Sequence, residues 1–247
     1  MIRRACFSDI DGTLSFHDLP GRIRLEDRQA IAAFRQTGGL FGVCSGRPLC
    51  GLKDLDEAGV ICDFYILVSG AVILDRDRQV ISETPMDLQE AQALFEQYCD
   101  QAYIIVQTDR SDALYTNVAV EQKPPTIPIQ SLHEIEAHRI YGISLVVKTE
   151  KEAASLTKAV NQNPSVEGFQ NANSVDIVKR GCSKGKAVTL VKEYFQIDKT
   201  AGIGDSYNDL PMLEAVDAAF TFVDSPDSVK QKARHLVEKA ADLFQIW

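Results

Sequence analysis

Two aspartates, Asp9 and Asp11, close the apolar run that opens the chain, in the stretch FSDIDGTLSF (7–16). On an extended backbone, side chains two residues apart point to the same face. Like charges held that close repel, and a carboxylate leaving water is costly unless something pairs with it. Gly12 follows at once and suits a sharp exit from a strand. The spacing predicts a cation at this point, or a proton on one of the acids. Three more polar clusters lie further along: SGR (45–47), KRGCSKGK (179–186) and GDSYND (204–209). With Asp9 and Asp11, Asp205 and Asp209 make up to four carboxylates. This is a hard-oxygen set suited to Mg²⁺, an ion that keeps several waters and commonly bridges to a substrate phosphate. Ser45, the Gly46 backbone, Asn208 and Lys184 add donors and one positive charge, as a phosphoryl group requires.

Within this set the roles separate. A strand-end carboxylate, Asp9, can attack phosphorus and form an aspartyl-phosphate. Asp11, two residues on and slightly off the metal, could protonate the leaving alcohol and then activate the water that clears the intermediate. Other chemistries fit less well. An EF-hand loop fails because Thr13 and Leu14 stand where an acid or Asn and then Gly are required. GCSKGKAV has three residues between Gly181 and Gly185, and Ala187 replaces the Ser or Thr of a P-loop. GIGDSY lacks the third glycine of a dinucleotide loop and has Tyr207 there. Cys44, before SGR, reads as a buried strand residue and not as a nucleophile. Of the basic residues at 179–186, Lys179, Arg180 and Lys186 read as solvated, and Lys184 as the functional one. The four histidines show no metal-ligand spacing.

The elements that must position these residues alternate. RACFSDI reads as a buried strand, LEDRQAIAAFRQTGG as an amphipathic helix closed by glycines, LFGVCSG as a strand, LCGLKDLDEAG as a helix, FYILVSG as a strand and AVILDRDRQVIS as a hairpin. The last third resumes with helix SKGKAVTLVKEYF, strand KTAGIGD, helix NDLPMLEAV, strand DAAFTFV and a closing helix. Such alternation predicts a doubly wound, Rossmann-like parallel sheet wrapped by helices. The middle differs. It reads as helix DLQEAQALFEQYC, strands AYIIVQT and ALYTNVAV, a Pro-rich loop KPPTIPIQ, a short helix, strand GISLVVKT, helix EKEAASLTKAVNQ and two short strands. This predicts an antiparallel α+β module at 84–177 inserted into a core of 1–83 and 178–247. Ligands of an open α/β sheet bind beyond the carboxyl ends of its strands, so the four clusters are expected to converge on one crevice.

The chain's 247 residues can bury a full core, as one large domain or two smaller ones. A formal net charge of −9 argues against general binding to nucleic acid or to acidic membrane surfaces. No run is apolar enough for a signal peptide or a membrane span. Six scattered cysteines without a close CxxC pair read as reduced thiols acting as small hydrophobes. The expectation is a cytoplasmic protein, a monomer or small homo-oligomer, whose partner is a small phosphorylated metabolite.

DIDGTL, SGR, the SKGKA lysine and GDSYNDLPML, in that order, resemble the four motifs of the haloacid dehalogenase superfamily. The GDSYND form and the large insert resemble its Cof-type phosphatase branch, which carries an α/β cap. The resemblance implies a Mg²⁺-dependent phosphatase with Asp9 as nucleophile and metal ligand. Asp11 becomes the general acid/base, with its backbone carbonyl on the metal. Ser45 and Gly46 would hold phosphoryl oxygens, Lys184 would stabilise nucleophile and phosphate, Asp205 would ligate Mg²⁺, and Asn208 and Asp209 would support phosphate and metal shell. Ser45 stands where the branch usually has Thr, Ser69-Gly70-Ala71 where the segment leading into the cap often reads NGA, and Ser206 where Gly is common. The cap selects substrate in this family, and the loops at 109–113 and 171–174 are candidates for that contact. The cap is expected to move against the core, because the site must admit substrate and then exclude water. Sugar phosphates or a phosphorylated cofactor are the expected substrates. A phosphosugar mutase, a sucrose-phosphate-type hydrolase and a non-catalytic binding protein are the alternatives on the same scaffold.

Overall fold

The computed structural model describes residues 2–19, 21–121 and 124–247. The first strand, β1 (Arg4–Ser8), is followed by α1 (Leu25–Gln36), β2 (Leu40–Cys44), α2 (Lys53–Glu57), β3 (Phe64–Leu67), β4 (Val72–Asp75) and β5 (Val80–Glu83). Ala5, Cys6 and Phe7 are wholly buried, the mark of a central strand covered on both faces. Helix α1 turns Ile31 and Phe34 inward, and the chain leaves it through Gly38 at φ +87. The second unit runs through α3 (Leu88–Tyr98), β6 (Tyr103–Thr108), β7 (Leu114–Thr116), β8 (Thr126–Pro128), β9 (Ile140–Val146), α4 (Glu150–Val160), β10 (Val166–Asn171) and β11 (Ser174–Lys179). The chain returns with α5 (Lys184–Tyr194), β12 (Lys199–Ile203), α6 (Leu210–Ala215), β13 (Ala218–Phe222), α7 (Asp227–Lys230), β14 (His235–Val237) and α8 (Leu243–Ile246).

The core sheet has the order β14-β13-β12-β1-β2-β3-β4-β5. Its pairs from β14 to β3 are parallel, and the β4–β5 hairpin adds an antiparallel edge. From β1 the chain winds outward through β2 and β3, and the strands after the insert are laid on the other side. The strand order therefore reverses between β1 and β12, and ligands of doubly wound sheets bind at such a point. Fully buried Phe7, Phe41, Phe64 and Phe220 anchor this core, each contributing about 1.5–3 kcal/mol of transfer free energy.

The cap sheet has the order β10-β11-β9-β6-β7-β8, antiparallel except for the parallel β7–β8 pair. The two-residue period of its strands divides their side chains between two jobs. On β6, Ile104 and Val106 pack with Leu94 and Phe95 of α3 in the cap's own core, while Ile105 and Gln107 face the cleft over the core sheet. Among the described residues no helix is long and apolar enough to cross a membrane.

Several expectations need correction. The closing helix is broken into α7, the eighth strand β14 and α8, because His235–Val237 pairs as a parallel edge on β13. ALYTNVAV yields only the short β7. The Pro-rich loop, whose Lys123 lies outside the described residues, contains β8, an edge position that tolerates proline. Strand β11 runs to Lys179, two residues beyond the expected boundary of the insert. Ser69-Gly70-Ala71 does not lead into the cap: it is the turn of the β3–β4 hairpin. Ser69 (φ +50) and Gly70 (φ +99) are left-handed there, and Ala71 N–H donates to Val68 O.

Candidate active site

Asp9 sits one residue past β1, with its N–H donating to Ile203 O of β12 at 2.9 Å, so both flanks of the strand-order reversal meet at its backbone. Its side chain is buried, and Oδ1 accepts from Lys184 Nζ at 2.6 Å. The same Nζ donates to Asp209 Oδ1 at 2.6 Å. The other oxygen of Asp209 accepts from the N–H groups of Asp205 and Ser206, each at 3.0 Å, and so shapes the turn after β12. Lys184 reaches this point because Ser183 caps α5, its Oγ accepting from Lys186 N–H. Gly185 packs against the Pro211 carbonyl, where a Cβ would stand 2.2 Å from that oxygen.

Asp9, Asp205 and Asp209 each present a carboxylate oxygen within 4.8 Å of the others. Asp205 is oriented by Thr13 Oγ1, which donates to its Oδ1 at 2.7 Å. Gly12 makes room for it: at φ +78, a Cβ there would sit 2.6 Å from Asp205 Oδ2. Burial, then Asp209, pushes the Asp9 carboxyl well above the ordinary aspartate range, with Asp205 adding to this and Lys184 opposing it. Burial and Asp209 push Asp205 up to about 6. Burial works against the charge on Lys184, but Asp209 and Asp9 more than reverse this and hold its pKa well above the usual value. Three hard-oxygen acids facing one ammonium leave an excess of negative charge, which a divalent cation fits chemically. Asp9 Oδ2 and Asp205 Oδ2 take no hydrogen bond among the described residues, whereas both oxygens of Asp209 are engaged.

Asp11 is brought to the same cleft but not into the acidic trio. The chain turns out of the strand at Asp9, and the Asp11 carboxylate, 46% exposed, is gripped by Arg47. Arg47 Nε and Nη2 donate to its two oxygens at 2.8 and 2.6 Å. The expected fourth metal carboxylate is therefore held by a guanidinium. Ser45 is buried at the end of β2, and its Oγ accepts from Arg47 N–H at 3.2 Å. Gly46, Asn208, Asp9 and Asp11 line one cleft of about 180 Å³ with Arg47 and Ser206. Cys44 is buried, its thiol pushed up by desolvation, which fits a strand residue and not a nucleophile. All six cysteines are free.

The roof of the cleft comes from the cap: Ile105, Gln107, Leu114, Asn171 and Asp176. Of the two loops singled out in the sequence, 171–174 reaches the cleft through Asn171. The lining contains none of 109–113, and Asp109 instead pairs with His138. Gln107 donates to Gly46 O at 3.1 Å, a direct tie between the cap and the loop after β2. Asp176 is 8% exposed; its Oδ1 accepts from Ser144 Oγ at 2.7 Å, and its Oδ2 has no hydrogen bond among the described residues. That oxygen points at Gly46, where a Cβ would lie 2.7 Å away. Burial pushes the Asp176 carboxyl up, against the opposing pull of Ser144, Lys184 and the nearby Asn171 amide. Sequence reasoning missed Arg47, Gln107 and Asp176. SGR was noticed but its arginine was not, and the lone aspartate in SVDIVK stands out only as a polar residue on an otherwise buried strand.

The family profile of haloacid dehalogenase-like hydrolases matches residues 6–243. The chain is 24% identical to the pyridoxal phosphate phosphatase of Escherichia coli K12, over 96% of this chain and 94% of that one. Its fold superposes on a haloacid dehalogenase-like hydrolase from B. subtilis with a TM-score of 0.85 at 19% identity, covering 98% of this chain and 96% of the other. A sugar phosphatase of the superfamily's subclass IIB superposes with a TM-score of 0.78 at 20% identity, covering 97% and 95%.

Proposed function

The chain belongs to the haloacid dehalogenase-like hydrolase family, and from that premise we propose that it is a Mg²⁺-dependent phosphatase of small phosphate monoesters that works through Asp9. The observation that carries this reading is the meeting of Asp9, Asp205, Asp209 and Lys184 at the strand-order reversal, with one Asp9 oxygen left free of hydrogen bonds.

Asp9 attacks phosphorus, the bond from phosphorus to the ester oxygen breaks, and Asp11, which enters the step protonated with one oxygen released from the Arg47 fork, gives its proton to that oxygen as the alcohol leaves. Asp11, now a carboxylate, takes a proton from a water whose oxygen attacks the phosphorus of the aspartyl-phosphate. The bond between phosphorus and Asp9 breaks, inorganic phosphate departs, and both acids regain their starting forms. Lys184 stays paired with the Asp9 carboxylate and orients it for attack. Ser45, the Gly46 N–H and Asn208 are the donors for the phosphoryl oxygens. When bound, a divalent ion held by Asp9 and Asp205, with Asp209 behind them and the Asp11 carbonyl available, supplies positive charge for the phosphoryl oxygens.

The leaving group lies under the cap roof. Asp176 Oδ2, buried and with no hydrogen bond among the described residues, favours an alcohol that carries a further hydroxyl or N–H donor, as sugar phosphates and phosphorylated cofactors do. The relatives named for pyridoxal phosphate and for sugar phosphates agree with that range of substrates. The test is phosphate release from sugar phosphates, nucleotides and pyridoxal phosphate, with Mg²⁺ and with chelator, for wild type and Asp9→Asn. Release that needs both metal and Asp9 is expected. Isomerisation without release would replace the phosphatase with a mutase, and release unaffected by Asp9→Asn would remove Asp9 as nucleophile.

A further inference from the structure

Asp54, in the first turn of α2, is a buried carboxylate that the reaction above does not use. Its Oδ2 accepts from Ser15 Oγ at 2.6 Å, and its Oδ1 from Arg47 Nη1 at 2.8 Å and Leu55 N–H at 3.1 Å. Arg47 is thereby pinned from behind. Nη1 also donates to Gly51 O at 2.8 Å, and the remaining Nε and Nη2 bonds go to the two oxygens of Asp11. Four of the five N–H donors of this guanidinium are committed, so it has one orientation. No other residue among those described bonds the Asp11 carboxylate. A second route closes the ring: Ser15 O accepts from Gly12 N–H at 3.1 Å, one residue after Asp11.

A carboxylate early in a helix is ordinary when it is exposed. Asp54 is 9% exposed, and Arg47, its partner, is itself mostly covered at 16%. Burial works against its charge, but the bonds from Ser15 and Arg47 outweigh this and hold its carboxyl below the ordinary aspartate range. The buried negative charge has one visible consequence beyond the helix: it fixes the arginine that aims Asp11.

We infer that Asp54 is a positioning residue, which through Arg47 and Ser15 sets the aim of Asp11 at the leaving oxygen; the inference rests on the phosphatase reading above. A leaving alkoxide needs a proton from Asp11, whereas p-nitrophenolate leaves without one. The ratio kcat/KM reports steps up to departure of the leaving group, so it isolates this role from the later hydrolysis of the aspartyl-phosphate.

The experiment compares kcat/KM for a hexose phosphate and for p-nitrophenyl phosphate in wild type, Asp54→Asn, Ser15→Ala and Arg47→Lys, with thermal melts of each. Asp54→Asn is expected to lose about 10²-fold on the alkyl ester, the scale of one general acid, and less than about tenfold on the aryl ester. Arg47→Lys, which keeps charge but loses the fork, follows the same pattern, and Ser15→Ala follows it more weakly. Equal losses on both esters, or none on either, overturn the inference. If Asp54→Asn does not fold, the leaving-group split in Ser15→Ala and Arg47→Lys decides. A wild type that releases phosphate from neither ester in the presence of Mg²⁺ overturns the phosphatase reading itself, a result distinct from any variant pattern.

Discussion

Lys184 Nζ lies 2.6 Å from Asp9 Oδ1, and the two side chains are 1% and 7% exposed. An ion pair so far from water is stable only with both partners present, because removing one leaves an uncompensated buried charge. Here the loss is doubled, since Asp209 leans on the same ammonium. Lys184→Met is therefore expected to destabilise the fold by about 3–5 kcal/mol, a drop of roughly 6–20 °C in Tm for a chain of this size. The drop should shrink as the pH falls and the orphaned carboxylates take up protons. An unchanged melt at neutral pH would show that the pair is not the anchor described here.

The acidic trio also gives the metal-free protein a distinctive pH dependence. Asp205 is pushed up to about 6 from an ordinary 3.8 by burial and by Asp209, and Asp9 moves in the same direction. A carboxyl whose pKa is raised by folding binds more protons in the native than in the unfolded chain across that interval. Its contribution to stability is accordingly lost as the pH rises through the interval. In chelator, Tm is expected to fall as the pH rises from about 4 to about 6 on account of Asp205, with Asp9 acting in the same direction. Mg²⁺ removes the repulsion, so its stabilisation should be larger at the higher pH. At a hundredfold excess over Kd it amounts to about 2.7 kcal/mol, roughly 5–11 °C. Calorimetry with and without Mg²⁺ across this range checks the point, and a Mg²⁺ shift that is equal at both ends would remove the trio as its site.

Asp176→Asn keeps the shape of the cap roof and its contact with Ser144 but replaces the unpartnered acceptor with an amide. For substrates with a donor on the leaving group, kcat/KM is expected to fall about tenfold to a hundredfold, mostly in KM, the cost of one charge-assisted hydrogen bond of about 1.5–3 kcal/mol. For phenyl phosphate, which has no such donor, little change is expected. Gly46→Ala should impair both classes, since its Cβ would meet Asp176 Oδ2 at 2.7 Å and disturb the phosphate-side loop. A panel of steady-state constants decides the matter, and equal losses for Asp176→Asn across the panel would deny it a part in selectivity.

Much of this arrangement is legible in the chain itself. The alternation from RACFSDI onward specifies a wound parallel sheet, and the types and order of Asp9, Ser45, Lys184, Asp205 and Asn208 specify phosphoryl chemistry at its strand ends. Short-range signals account for this: a buried strand must be an apolar run, a helix over a sheet must show one apolar face, and an acid at a strand end is local to its own loop. The short β7, the β8 within a Pro-rich segment and the strand β14 were not legible, because three-residue strands owe their existence to the neighbours they pair with and carry almost no periodicity of their own.

The sequence by itself determined which groups could do the chemistry and that they would gather beyond the carboxyl ends of one sheet. Only the tertiary structure decided how they divide. It joined Asp9 to Asp205 and Asp209 around Lys184, and turned Asp11 away to Arg47 although it lies just two residues from Asp9. It also lowered Asp176 and Gln107 from the cap onto Gly46. These partners lie 25 to 200 residues apart along the chain, and no local pattern encodes a contact at that range. Burial in the site then sets the charge each group can hold, because the cost of a carboxylate depends on the solvent and partners around it and not on its place in the sequence.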